Sequence, residues 1–210
     1  MRENSWMSKG IRLFLAILLA FLAGCSEPPK AEKAKQAVKA PEPVTGRQAF
    51  QRIYPQARGW APDAQPLRLR SIRLAQVSAE PGKSGAWEAT FVSPSKSRTR
   101  TYTYSSLEAE GNLHEGVFAG TEDSYSGRGP AFPFLIAAIK VDSDEAYKIA
   151  AAKSRDYIQK HPGMPVSFLV EQTSRFPDLT WRVIWGESAS ASDYSVFVDA
   201  SMGRFIEKAH

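Results

Sequence analysis

The chain has 210 residues, with 27 Lys and Arg against 22 Asp and Glu, a formal net charge of +5, and one cysteine. So mild a positive charge, with no recognised nucleic-acid motif beside it, argues against nucleic acid as a partner. A lone cysteine excludes an intramolecular disulfide framework.

Taken in chain order, Arg2, Lys9 and Arg12 precede an unbroken apolar run, LFLAILLAFLA, at positions 13–23. Spanning a bilayer takes roughly 20 apolar residues, so residues 1–24 read as a targeting segment and are set apart from the fold. The run ends in LAGC, Leu22 to Cys25, and Cys25 is the chain's one thiol. Small residues before a cut site suit a signal peptidase, and a thiol just after it can carry lipid. LAGC resembles the lipobox of bacterial lipoproteins. The resemblance implies diacylglyceryl transfer to Cys25, cleavage before it and acylation of the new N-terminus. More than one acyl chain anchors a protein stably. Serine rather than aspartate at position 26 further implies the outer membrane, with the protein facing the periplasm. An ordinary secretory signal with a chance cysteine is the alternative.

Residues 25–44 are rich in Pro, Ala, Lys and Glu and offer too little apolar surface to offset the entropy of ordering. They read as a flexible tether. Removing residues 1–24 takes away three basic groups (Arg2, Lys9, Arg12) and one acid (Glu3), which lowers the formal charge from +5 to +3.

The remainder, 45–210, carries an internal repeat, which divides it into a first unit with its connecting loop, 45–130, and a second unit, 131–210. VTGRQAFQ at 44–51 matches VDSDEAYK at 141–148, 97 residues on. The Trp87 region, AWEATFVS, matches TWRVIWGE at Trp181, 94 residues on, and Tyr102 to Leu113 matches Tyr194 to Phe205, 92 residues on. Chance agreement between short blocks is the alternative. Each half predicts a helix by the spacing of Ala49, Phe50, Ile53 and Ala57, or of Ala146, Ile149, Ala150 and Ile158. Alternating strands follow: LRLRSIRL, WEATFV and TYTYS in the first half, VSFLVE, WRVIW and YSVFV in the second. The fold class is therefore α+β: two tandem α-β-β-β units, each a helix packed on an antiparallel sheet. A short final strand has room to follow Gly111 or Gly203. The stretch AGTEDSYSGRGPAF reads as a flexible connection between the halves.

The second half, with DSDEAYKIAAAKSRDY, WRVIW and YSVFVDASMGRFI, is similar to the PepSY domain, a cystatin-like arrangement whose last hairpin carries a V-D-A-x-x-G turn. Val198, Asp199, Ala200 and Gly203 stand at that motif. In the first half Ser106 and Leu107 replace the Val-Asp pair. The resemblance implies a module that binds or inhibits a partner rather than one that catalyses.

Candidates for chemistry are few. Asp142, Asp144 and Glu145 fit a helix start, with Asp142 and Glu145 as a capping box on acids that complement the helix dipole. Thr45 and Gln48 hold the same positions in the first half, and a catalytic pair would not survive that exchange. His114, His161 and His210 have no metal-ligand spacing, so no metal, cofactor or enzymatic activity is expected. Lys96, Arg98 and Arg100 form a basic loop suited to lipid headgroups, glycan acids or a partner, with a solvated tip as the alternative. Trp60 and Trp185 are candidate ligand contacts, while Trp87 and Trp181, at equivalent strand starts, read as core. Two functions follow. The first is a lipid-anchored, non-catalytic module that binds or regulates another envelope protein or peptide. The second is a small-ligand carrier with an aromatic-lined pocket between the units.

Overall fold

The computed structural model describes residues 40–192 and 194–209; the targeting segment, Cys25 and most of the tether lie outside them. The tether's expected end at residue 44 is too late, since Pro43 and Val44 are already buried. The architecture is mixed α+β, with a large antiparallel sheet carrying helices on one face.

The first helix, α1 (Gly46–Trp60), begins where the chain supplies its own cap. Gln48 N donates to Thr45 Oγ1 and Thr45 N donates to Gln48 Oε1, a complete capping box. Ala49, Phe50, Ile53 and Ala57 form its buried stripe. Pro55 sits inside the helix on its exposed side, where the unbonded carbonyl one turn earlier can meet water. The second helical segment, expected to run unbroken to HPG, is divided into α2 (Ser143–Lys153) and α3 (Arg155–Lys160). The break falls at Ser154, whose hydroxyl donates to Ala150 O at 2.8 Å and accepts from Tyr194 Oη at 3.0 Å. A serine bonded back one turn bends a helix.

The strands are β1 (Val44–Thr45), β2 (Gln65–Ile72), β3 (Lys83–Ser84), β4 (Ala86–Ser93), β5 (Arg98–Ser105) and β6 (Gly116–Ser124) before the connector. After it come β7 (Ala131–Phe132), β8 (Val166–Thr173), β9 (Thr180–Trp185), β10 (Tyr194–Asp199) and β11 (Phe205–Ala209). The main sheet runs β11-β10-β9-β8-β2-β4-β5-β6, with β7 added to the end of β8 and β1 paired separately with β3. At its centre β2 and β8 pair antiparallel, Leu69 opposite Val170 and Arg70 opposite Leu169. The sequence leaves open whether the sheets of the two halves merge, and here they are one.

Leu69, Trp87, Ala89, Phe91, Tyr102, Phe168, Val170, Trp181, Val183 and Val196 join the helices in one core. The alternate residues, among them Arg70, Glu88, Thr90 and Thr103, turn to the other face, as the two-residue period of a strand requires.

Three expectations are corrected here. The capping box at Asp142 and Glu145 does not form: Asp142 Oδ1 accepts from Ser143 N at 2.7 Å and from Arg47 N of α1 at 2.9 Å, while Glu145 is exposed. One carboxylate thus caps both helix starts, and Gly46 N donates to Ser143 Oγ at 2.8 Å beside it. Next, GTEDS belongs to strand β6 rather than to a loop, so the first half has a long fourth strand. Pairing with β5 overrides the weak strand propensity of Gly, Asp and Ser there. Finally, the third repeat block is out by two residues. Trp87 faces Tyr104 and Trp181 faces Val198, so matching the two tryptophans sets Tyr102 against Val196 and not against Tyr194. A slip of two leaves every side chain on its face, which is why hydrophobic alternation does not reveal it.

Candidate functional site

Three of the residues singled out from the sequence meet at the β6 end of the sheet. The last turn of α1 carries Trp60 over the helix-side face, and its Nε1 donates to Glu122 Oε1 of β6 at 2.8 Å. Lys96, in the β4–β5 turn, lies with its Nζ 5.8 Å from the Trp60 ring centroid. Arg100 on β5 donates from Nε to Gly120 O at 2.9 Å, reaches Glu122 at 3.9 Å and stands 5.7 Å from the Tyr102 ring. Arg98 is two residues along the same face, its Nη1 donating to Ser124 Oγ at 3.4 Å. The Arg100–Glu122 pair is partly solvated and adds little stability. Its use is to hold an aromatic, two cations and an acid side by side along an open sheet edge. Burial pushes the Tyr102 phenol above its ordinary pKa, opposed by the nearby Arg100 guanidinium.

Trp185 is not part of this group. It is 3% exposed and packs edge-on against Tyr194 at 5.4 Å and Tyr157 at 6.5 Å. It was a candidate ligand contact, but the α2–α3 bend brings Tyr157 over it. Glu122 and Gly120 were missed, because the segment holding them carries no alternating apolar signal.

The junction of the two halves is closed at its centre. Trp87 and Trp181 meet edge to face with centroids 6.4 Å apart, and a Cβ on Gly46 would lie 2.8 Å from Trp181. To one side, the β2–β4 connection and residues 163–168 enclose a recess of about 520 Å³. Tyr147, Phe168, Met164 and Val77 line it, Tyr147 and Phe168 packing edge to face at 6.5 Å. Neither Trp60 nor Trp185 is among its lining residues. Two of its charged lining residues are engaged already: Arg73 with Glu187 at 2.7 Å and Lys83 with Glu80 at 2.6 Å.

The motif V-D-A-x-x-G builds a turn. Asp199 Oδ1 accepts from Ser201 N at 2.8 Å and Met202 N at 3.0 Å, while Arg204 lies 3.2 Å from Oδ2. Burial raises its pKa, but those two amides and Arg204 outweigh it, and the carboxyl is held below its ordinary value. Asp63 behaves alike: chiefly through the Ser93 hydroxyl and then Ser95 N, its pKa falls to about 2. A carboxyl whose folded pKa lies below its unfolded one stabilises the fold above the unfolded value, near 4, and that stabilisation is lost as pH falls through the folded value. Urea unfolding between pH 6 and pH 2 is therefore expected to show stability falling below about pH 4, down to about 2 for Asp63. In the double variant Asp63→Asn, Asp199→Asn the fall should be shallower. An unchanged slope would mean that neither carboxylate matters.

Among the described residues no three His, Cys, Asp or Glu side chains converge as metal ligands. His114 bonds Glu108 at 2.7 Å on an exposed turn, and His161 stacks on Tyr157 at 4.3 Å. No described helix is long and apolar enough to cross a membrane. Comparison of the chain with protein-family models, curated proteins and solved structures finds no match.

Proposed function

We propose that this is a lipid-anchored component of the bacterial envelope, attached through Cys25 and facing the periplasm from the outer membrane. In this reading it is a non-catalytic module that binds or regulates another envelope protein or peptide. It is built from two tandem PepSY-like, cystatin-like units, the first within 45–130 and the second within 131–210.

The tandem reading is supported by paired details. Trp87 Nε1 donates to Val44 O at 3.0 Å and Trp181 Nε1 donates to Val141 O at 2.9 Å, so each half ties its helix start to its second strand in one way. The antiparallel pairing of β2 with β8, each the first main-sheet strand after its helix, suits a local two-fold axis near Arg70 and Leu169.

One observation carries the binding reading. Pairing of β2 with β8 uses up one edge of each half, and the nine-residue strand β6 remains as a largely exposed edge. Such an edge accepts an extended peptide through main-chain hydrogen bonds, and Trp60, Lys96 and Arg100 flank it. A photo-crosslinking residue at Thr121 is expected to give a discrete protein adduct in intact cells, absent when the probe sits at Lys160 and lost on Trp60→Ala. Adducts equal at both positions would refute edge binding. The anchor is tested by Cys25→Ala: cleaved protein that still fractionates with membranes would sink it.

The recess beside Tyr147 and Phe168 favours a second reading, a small-ligand carrier. Its size lies within the range of ligand pockets. Native mass spectrometry of the full chain should then show a bound small molecule that Val77→Trp displaces.

A further inference from the structure

Three of the five large hydrophobic side chains most exposed among the described residues stand on two segments that hydrogen bonds hold together. Phe132 (42%) and Leu135 (71%) stand on the connector between the halves, and Met202 (68%) on the β10–β11 turn. The connector and the turn are tied together: Lys140 N and Val141 N donate to Ala200 O at 2.9 and 2.8 Å, and Ser201 Oγ donates to Ala138 O at 3.1 Å. The connector is otherwise strongly apolar, AFPFLIAAI from 131 to 139, and its buried members Phe134 and Ile139 fasten it to the core. Folding has therefore placed an apolar ridge at the surface on a firmly held backbone. Side chains that only needed burial would have turned inward, as Phe134 does, and an exposed patch of this kind marks a contact surface.

Where the tether joins says what that contact is. The described chain enters α1 at Val44 to Gly46, and Arg47 N and the Arg47 guanidinium bond Asp142 and the Lys140 carbonyl at the connector's end. From Cys25 to Ala40 is a stretch of 15 residues, whose full extension reaches only about 50 Å. A domain held so close to a bilayer, at a point beside the ridge, has that bilayer as its nearest apolar phase. Arg47 and the exposed Lys140 and Arg128 add cations to the connector and its flanks, suited to anionic headgroups.

The geometry points to a membrane-contacting ridge: Phe132, Leu135 and Met202 dip into the lipid interface and set the domain's orientation on the membrane. This rests on the lipid-anchor reading. The shallow insertion of a few apolar side chains, flanked by cations, is the interfacial mode of binding.

The absence of any second cysteine gives a clean test. The mature full chain carrying Ala137→Cys, an exposed ridge position, is labelled with an environment-sensitive fluorophore. It is then reconstituted in vesicles of phosphatidylethanolamine and phosphatidylglycerol. The expected result is a blue-shifted emission that acyl-brominated lipids quench. Both effects should be lost when Phe132→Ser and Leu135→Ser are added, and absent for a label at Lys160→Cys. Peptide mapping separates the two possible failures. Label found on Cys25 would reveal an unacylated thiol and sink the anchor. Label confined to residue 137 and left unquenched keeps the anchor and overturns the ridge, as it would if the patch faced a protein instead.

Discussion

Trp181→Ala is expected to lower the unfolding free energy by about 3–5 kcal/mol, the range for deleting a fully buried aromatic. Trp181 is 0% exposed, stands edge-on to Trp87 at 6.4 Å and closes over Gly46. Its indole also satisfies Val141 O at 2.9 Å, and alanine would leave that carbonyl without its partner. Domains are stable by only about 5–15 kcal/mol in total, so the variant should be marginal at 37 °C. Trp181→Phe keeps most of the buried area and removes the hydrogen bond, so about 1–2 kcal/mol is expected. Because the two tryptophans touch, Trp87→Ala and Trp181→Ala should not add. Urea unfolding measures all of these, and a loss below about 1 kcal/mol for Trp181→Ala would contradict the packing described.

Gly82→Ala should be the most damaging glycine substitution. Gly82 has φ +76°, and a Cβ there would lie 2.1 Å from the Asp144 Cα, a backbone atom that no rotamer change can move aside. Its carbonyl accepts from Ser143 Oγ at 2.6 Å, which in turn accepts from Gly46 N, so displacing it disturbs both helix starts. Gly111 supplies the control, since it has φ +81° and nothing within 4 Å of a built Cβ. Gly111→Ala should cost only the left-handed strain, about 1–2 kcal/mol. Gly82→Ala should cost clearly more in the same melts. Equal losses would mean that the loop yields and that the close approach is unimportant. If the recess beside this loop holds a ligand, Gly82→Ala should also release it, since Gly82 lines the recess.

Local signals made much of the fold legible. Helix starts were visible because Thr45, Gln48 and Asp142 are cap residues followed by apolar spacing, and the main-sheet strands up to β5 and again from β8 to β10 were visible through alternation. Strand β6 was not: Gly116, Gly120 and Ser124 carry no such pattern, and only β5 beside them makes them a strand. The candidate site was half legible. Lys96, Arg98 and Arg100 stood out as a basic run and Trp60 as a helix-end aromatic, but nothing in the sequence joined them, since Glu122, which touches both Trp60 and Arg100, lay in the unread strand. Trp185 was misplaced for a similar reason. Its burial depends on Tyr157 and Tyr194, 28 residues before it and 9 after, brought together by a bend at Ser154.

The sequence by itself determined the local pieces: caps, helical stripes, alternating strands and the V-D-A-x-x-G turn. Each of these depends on residues a few positions apart, where sterics and hydrogen bonding act directly on the chain. Only the tertiary structure decided that β2 and β8 join two sheets into one, that Asp142 serves both helices, and that the connector is tied to the β10–β11 turn. Those are pairings between residues about 60 to 100 positions apart. Strand edges, helix ends and apolar side chains are alike in what they need. Which partner each one finds depends on where the whole chain places them.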